Sequence, residues 1–307
     1  MNIFVVNHSV ENCGVYQYGK RFGSIASKSK KHNFMYLEID SLEKFEELYS
    51  EHKPGAIIYN HLTGTMPWVT EEVVAKYRGD GIVQYLIVHN VGYSTFFDKY
   101  LHQNPYHESV DENNFALCRP LFEYTPTIEL EDDDILRIGT FGFGFNVKHF
   151  DQICRVVNNQ FHHRKVEVNM HLTSAHFCAS DVMGIKSQCE QALSSPNIKL
   201  NFTTDFIPDQ DMLDFLYKND LNIFFYQNYP NYNGISSTID YALSVQKPIA
   251  ICKSNMFSHI SDAQPSICVE DNSLLNIILN GFEPLQEKYN SWTNENFIHT
   301  LEEIVTN

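Results

Sequence analysis

Short runs of β-branched and aromatic residues alternate with helical periodicity along nearly the whole chain. In the first part the strand-like runs are 2–7, 33–39, 55–59 and 82–88, typified by Ile82-Val83-Gln84-Tyr85-Leu86-Ile87-Val88. Helical stretches lie between them near 16–31, 41–52 and 68–78. Strands apolar on both faces and separated by helices predict a parallel sheet covered on each side. From Arg119 to Asp134 the alternation breaks into a proline-containing, acidic stretch that reads as an interdomain linker. It restarts at Leu136, with strands predicted at 136–140, 165–172, 198–203, 221–226 and 248–252 and helices near 147–159, 181–193, 209–218, 236–245, 272–280 and 294–305. The expected fold class is α/β: two facing Rossmann-like domains, each a doubly wound parallel sheet, spanning 1–125 and 126–291. The last helix, within 292–307, is expected to pack back on the first domain.

Length agrees with this division, since 307 residues at roughly 150 per domain give two. Two such domains enclose a cleft, and ligands of doubly wound sheets bind beyond the carboxyl ends of the strands. The net charge of −16 disfavours nucleic acid and anionic lipid as partners, because both need a basic face. The seven cysteines are odd in number and form no Cys-x-x-Cys pair, which points to reduced thiols. The amino-terminal residues lack a signal-peptide pattern, and no run reaches the ~20 apolar residues of a membrane span. A cytoplasmic location without a transmembrane segment is expected.

Four junctions could carry chemistry. Cys13-Gly14-Val15-Tyr16 follows the first strand, where Gly14 lets the chain turn closely and the next helix begins. Gly139-Thr140-Phe141-Gly142-Phe143-Gly144 ends the first strand of the second domain, with Lys148 placed to add a point charge to backbone amides that could hold an anion. It is neither a P-loop nor a dinucleotide fingerprint. Asn233-Gly234-Ile235-Ser236-Ser237 leads into a helix whose capped start suits an anion, and Asp240 lies one turn further in. Finally His89 and Asn90 leave the fourth strand of the first domain, and His61 the third, where an imidazole can bond a substrate hydroxyl or move a proton. His162-His163 has no partner at metal-ligand spacing, so no metal is expected.

Together these segments resemble the GT-B glycosyltransferases, in particular the retaining family four. Gly139-Thr140-Phe141-Gly142-Phe143 with Lys148 is similar to the family's strand, glycine turn and donor-diphosphate lysine. Gly234-Ile235-Ser236-Ser237 through Asp240-Tyr241-Ala242-Leu243, then Lys247-Pro248-Ile249-Ala250-Ile251, resembles its donor helix and following strand. The sequence departs from the pattern in two places: Tyr232 stands eight positions before Asp240, where the family has a first glutamate, and no arginine accompanies Gly142.

The resemblance implies a metal-independent, cofactor-free retaining transferase that takes a nucleotide-sugar donor and an acceptor glycan or other small molecule. The implied catalytic residues are His89, Lys148 and Asp240. Gly14, Gly142, Phe143, Gly144, Lys148, Phe206, Ile207, Asn233, Gly234, Ile235, Ser236, Ser237 and Asp240 would bind donor, with the base at Phe206-Ile207 and the ribose on Asp240. Tyr16, His61 and Asn90 would face the acceptor. The alternatives on the same fold are a non-catalytic sugar-nucleotide or glycan binder, a sugar-nucleotide epimerase, and a transferase acting on modified DNA of the kind some phages encode. The last would need the basic stretch Lys20, Arg21, Lys28, Lys30 and Lys31 to face the cleft.

Overall fold

The computed structural model describes residues 1–89, 93–108, 111–175, 181–229 and 234–306. The chain divides into two compact units, one holding Met1–Leu121, Asn231–Ile235 and Ser291–Asn307, the other Phe122–Pro230 and Ser236–Asn290.

The N-terminal unit runs β1 (Asn2–Asn7), α1 (Gly14–Ala26), β2 (Asn33–Glu38), α2 (Leu42–His52), β3 (Ala56–Tyr59), α3 (Glu71–Gly79), β4 (Val83–Val88), β5 (Lys99–His102) and β6 (Asn114–Ala116). Its sheet is ordered β2-β1-β3-β4-β5-β6, and every pair is parallel. The strand interiors are apolar on both faces because each face carries a core. Ile3, Val5, Phe22, Ile58 and Ile87 fill one, and Phe4, Val6, Phe45, Ile57 and Leu86 the other. Ser41 and Thr70 cap α2 and α3, each side chain accepting a backbone N–H three residues on.

The C-terminal unit runs β7 (Leu136–Phe143), α4 (Phe150–Phe161), β8 (Val166–Thr173), α5 (Val182–Ala192), β9 (Ile198–Thr203), α6 (Asp209–Tyr217), β10 (Leu221–Phe224), α7 (Thr238–Ser244), β11 (Ile249–Ile251), α8 (Leu274–Asn280) and α9 (Gln286–Ser291). Its parallel sheet is ordered β11-β10-β7-β8-β9. The acidic stretch before β7 is strapped to α6: Tyr124 Oη and the Thr127 amide donate to Asp214 Oδ1 at 2.6 and 3.1 Å, and Thr127 Oγ1 bonds the other carboxylate oxygen. After α9 the chain returns, and α10 (Asn294–Thr306) lays Phe297, Leu301, Ile304 and Val305 into the core beside Phe22 and Ile25 of the first unit.

Several element expectations need correction. The helix expected to Lys31 ends at Ala26, because the Ser29 hydroxyl collects the amides of Lys31 and His32 and turns the chain into β2. Strands β5 and β6 had no expectation; they are short, and their sequences Lys-Tyr-Leu-His and Asn-Phe-Ala carry little apolar pattern. The strand expected to stop at Thr140 continues to Phe143 in register with β8. That extension changes the site.

Candidate functional site

In a doubly wound sheet the ligand edge is where strand order reverses, since crossover helices leave to opposite faces there and open a crevice. In the C-terminal sheet the reversal falls between β7 and β10, and in the N-terminal sheet between β1 and β3. Each edge is described by itself.

At the C-terminal reversal β7 ends in Phe143 and a single 3-10 turn, Asn146–Lys148, brings Lys148 back over the strand. Gly142 makes room for it. A side chain there would collide with Lys148 Nζ, and its φ of +148° suits glycine. Lys148 is 8% exposed, and burial lowers its pKa to about 8. Among the described residues no carboxylate pairs with it; its ammonium lies 5.8 Å from the centroid of the Tyr226 ring. Around it stand Thr140, Phe141, Tyr226, Ser236, Thr238 and Phe257. Thr140 is 1% exposed, and its hydroxyl has no hydrogen-bond partner among the described residues. The space left in this lining is about 10 Å³, room for one water, so a larger anion reaches Nζ only if the aromatic walls part. A hollow of about 330 Å³ flanks the same turn, lined by Asn146, His149, Gln188 and Gln227 among others.

The other donor expectations fare unevenly. The amides of the glycine segment are engaged in part: Gly144 N donates to Thr173 O at 2.9 Å and Phe145 N to Phe143 O at 2.8 Å, because β7 continues beyond the expected turn in register with β8. Phe143 is partly exposed at the strand end. Ser236 keeps its place in the lining, but its amide donates to Met256 O at 3.0 Å and its hydroxyl meets Thr238 Oγ1 at 2.8 Å. Ser237 precedes α7 and forms no side-chain cap. Asp240 is fully buried on α7 and outside the Lys148 lining, so it presents no carboxylate to a ribose. Phe206, 51% exposed, and Ile207 follow edge strand β9. Gly234 and Ile235 are buried, and Ile235 lines a cavity of the N-terminal unit. Asn233, Asn90 and Tyr232 lie outside the described residues.

The reversal in the N-terminal sheet is built of uncharged amides. Asn7 ends β1 and Asn60 follows β3, both fully buried. Asn60 Nδ2 donates to Asn7 Oδ1 at 2.8 Å and to Val15 O at 2.7 Å, while Asn7 Nδ2 donates to Tyr16 O at 3.0 Å. The two asparagines thus tie the loop before α1 onto the sheet. Gly14 opens α1 and is exposed, with no acidic residue in the first turn. Tyr16 turns inward instead of facing an acceptor: it is 3% exposed and its hydroxyl donates to Glu38 at 2.7 Å. His61 is half-buried, and burial lowers its pKa against an opposing bond to the Met66 backbone. His89 sits between Asn60 and Gln103, and its pKa is lowered to about 3, first by burial and then by the Arg119 charge. It walls a cavity of about 230 Å³ together with Tyr93, His102, Tyr106, His107 and Glu108. The His102 and His107 rings stack with centroids 3.5 Å apart, and burial lowers the pKa of both.

The basic stretch is divided, with Lys20 exposed and Arg21 buried within α1 and the three lysines beyond its end. Helix α1 starts at the ligand edge and returns to the opposite edge, so 13 residues at a rise of 1.5 Å carry Lys28, Lys30 and Lys31 roughly 20 Å away.

Sequence reasoning had not singled out Thr140, Tyr226, Asn7, Asn60, Gln103 or Arg119 for these roles. Asn7 and Asn60 had a readable signal, an amide directly closing an apolar strand. Gln103 and Arg119 depend on β5 and β6, which left none.

No protein-family model and no curated protein sequence matches the chain. Solved structures do. HepE of Anabaena, in complex with UDP and glucose, superposes with a TM-score of 0.64 at 11% identity over 100% of this chain and 99% of that one. The lipopolysaccharide outer core galactosyltransferase WaaB gives 0.60 at 9% identity over 100% and 99%. An α-glucosyltransferase in complex with UDP-glucose and DNA containing an abasic site gives 0.59 at 13% over 98% and 94%. At such identities the likeness concerns architecture, and in architecture the chain has the GT-B glycosyltransferase fold.

Proposed function

We propose that this chain is a glycosyltransferase that holds a nucleotide-sugar donor against its C-terminal unit and transfers the sugar to a glycan or other small acceptor at its N-terminal unit. One observation carries the reading: a buried lysine with no carboxylate partner among the described residues, placed at the strand reversal of the C-terminal sheet. Burying a charge unpaired is unfavourable. A position that keeps one gains from it only when an anion arrives. UDP or UDP-glucose is bound in neighbours of the same fold, and a departing nucleoside diphosphate is such an anion. Lys148 would neutralise it as the bond to the sugar breaks, which is electrostatic stabilisation of a leaving group. Thr140 and Ser236 would add hydroxyls beside it, Gly14 the uncapped start of α1, and Phe206-Ile207 the base contact. We further propose retention of configuration, on the resemblance to the retaining family, and independence of divalent metal, since Lys148 would meet part of the charge on the leaving group.

Incubation with a panel of nucleotide sugars, with and without candidate acceptors, tests this. Release of nucleoside diphosphate that is insensitive to EDTA and falls with Lys148→Ala supports the reading, and the anomeric configuration of the product tests retention. Thermal stabilisation by nucleotide sugars with no turnover under any acceptor would instead favour a sugar-nucleotide binder. That second reading is favoured by the buried Asp240 and by the narrow lining above Lys148.

A further inference from the structure

The side chains at the ligand edge of the N-terminal sheet leave no freedom in where their protons sit, and the constraint comes from two ends at which the groups have no choice. At one end Arg119, fully buried, donates from Nη1 to Gln103 O at 2.8 Å and to Gln103 Oε1 at 3.3 Å. A guanidinium only donates, so the amide atom facing it is the oxygen, and Gln103 Nε2 turns to His89 Nδ1. At the other end the Val15 and Tyr16 carbonyls only accept, so the atoms of Asn60 and Asn7 against them are nitrogens. Asn60 Oδ1 must then face His89 Nε2, 2.7 Å away. The two constraints meet on one ring: Nδ1 accepts and Nε2 donates.

We infer that Gln103 and Arg119 are positioning residues which, together with Asn60, hold His89 as a neutral imidazole of fixed Nε2–H tautomer, so that His89 acts as a polar wall of its cavity and not as an acid or base. The other groups around the ring agree. Arg119 lies behind Gln103, His8 follows β1 and His61 follows β3, and a positive charge on any of them opposes a second proton on His89. Tyr18 of α1 closes the remaining side, edge-on at 5.5 Å, and carries the Arg119 guanidinium 5.2 Å from its own centroid. Both ring nitrogens are engaged within the protein, so a substrate proton has neither an open lone pair to reach nor an open N–H to come from.

The inference uses the glycosyl-transfer reading only for what His89 does in a reaction; its protonation is measured on the full-length protein without substrate. Histidine-selective ¹⁵N NMR from about pH 8 to about pH 4 is expected to show His89 as the neutral Nε2–H tautomer throughout. Gln103→Glu exchanges a donor for an acceptor that Arg119 stabilises, which allows a proton on Nδ1 and is expected to move the His89 midpoint up by about 2 pH units or more. Asn60→Asp places a carboxylate at the other nitrogen and is expected to shift it in the same direction, so the test survives if either variant fails to fold. A charged or Nδ1–H imidazole in the unsubstituted protein at neutral pH, or a titration unmoved by both variants, would overturn the inference. Where turnover is found, the unsubstituted enzyme is expected to show no acid limb from His89, and Gln103→Glu to acquire one. If no nucleotide sugar is turned over while the NMR result stands, the transferase reading fails and this one does not.

Discussion

The two sheets share a topological plan and present opposite electrostatics at the same place in it. At the strand reversal of the N-terminal sheet, Asn7, Asn60, His89 and Gln103 bond one another in sequence, and the buried guanidinium of Arg119 is locked onto Gln103. At the reversal of the C-terminal sheet the Lys148 ammonium stands against aromatic rings, with the Thr140 hydroxyl, which has no partner among the described residues, in the same lining. Bonded side chains hold one another in place, whereas a buried ammonium against aromatic rings leaves a charge that, on the proposed reading, a diphosphate would meet. Parallel strands supply the edge in both cases, and a few side chains make the difference between them.

The largest expected effect breaks that contrast outright. Lys148→Ala removes the cation and should lower turnover about 100-fold, the scale of deleting one preorganised electrostatic contact, with donor affinity followed by calorimetry. Undiminished binding would place the anion elsewhere. Stability should move in the opposite direction. Burial depresses the Lys148 pKa from 10.5 to about 8, so near pH 7 the folded state carries a penalty of about 3 kcal/mol for the charged form. Lys148→Met should therefore be more stable in urea by up to that amount. The sign follows from proton counts: between about 8 and 10.5 the unfolded chain binds more protons, so the unsubstituted protein should gain on the variant as pH rises through that window. Donor affinity should weaken above about pH 8, as the ammonium is lost.

Gly142→Ala sharpens the comparison by leaving the charge and removing its clearance. We expect destabilisation of about 1–3 kcal/mol and weaker donor binding, read by thermal melts and calorimetry. In the N-terminal web the pH dependence has the same sign in a more acidic window. Folding holds His89 neutral down to about pH 3, so stability should fall as pH drops below the ordinary histidine value, where the unfolded chain takes up the proton first. Asn60→Asp should blunt that loss. The smallest effect belongs to the exposed cluster Lys28, Lys30 and Lys31: changing all three to serine should leave turnover unaltered, since α1 carries them to the far edge of the sheet.

How much of this could be read in advance varies by residue. Lys148 and Gly142 were legible as a pair, but their relation was not. The sequence suggested amides cradling an anion, while the extended strand commits the Gly144 amide to Thr173 and Gly142 clears a path for the lysine. Ser236 shares a lining with Lys148, yet its amide is taken by Met256, a contact across 20 positions that no local pattern encodes. Asp240 looked like a ligand for sugar hydroxyls because it opens a helix; packing buries it completely. His89 was visible as a strand-end histidine, whereas its tautomer depends on Arg119 and Gln103, which arrive through two strands too short to announce themselves.

The α/β class and nearly every strand between 2 and 88 and between 136 and 251 were legible in the sequence alone, to within a few residues at their ends. Those follow from local periodicity and capping, which short-range physics enforces. The order of the strands and the hydrogen-bond partners of the buried polar side chains came only with the folded chain. The reason is physical: a charge or a proton is fixed by every group within a few ångströms, and here those groups come from five or six separate stretches of the chain.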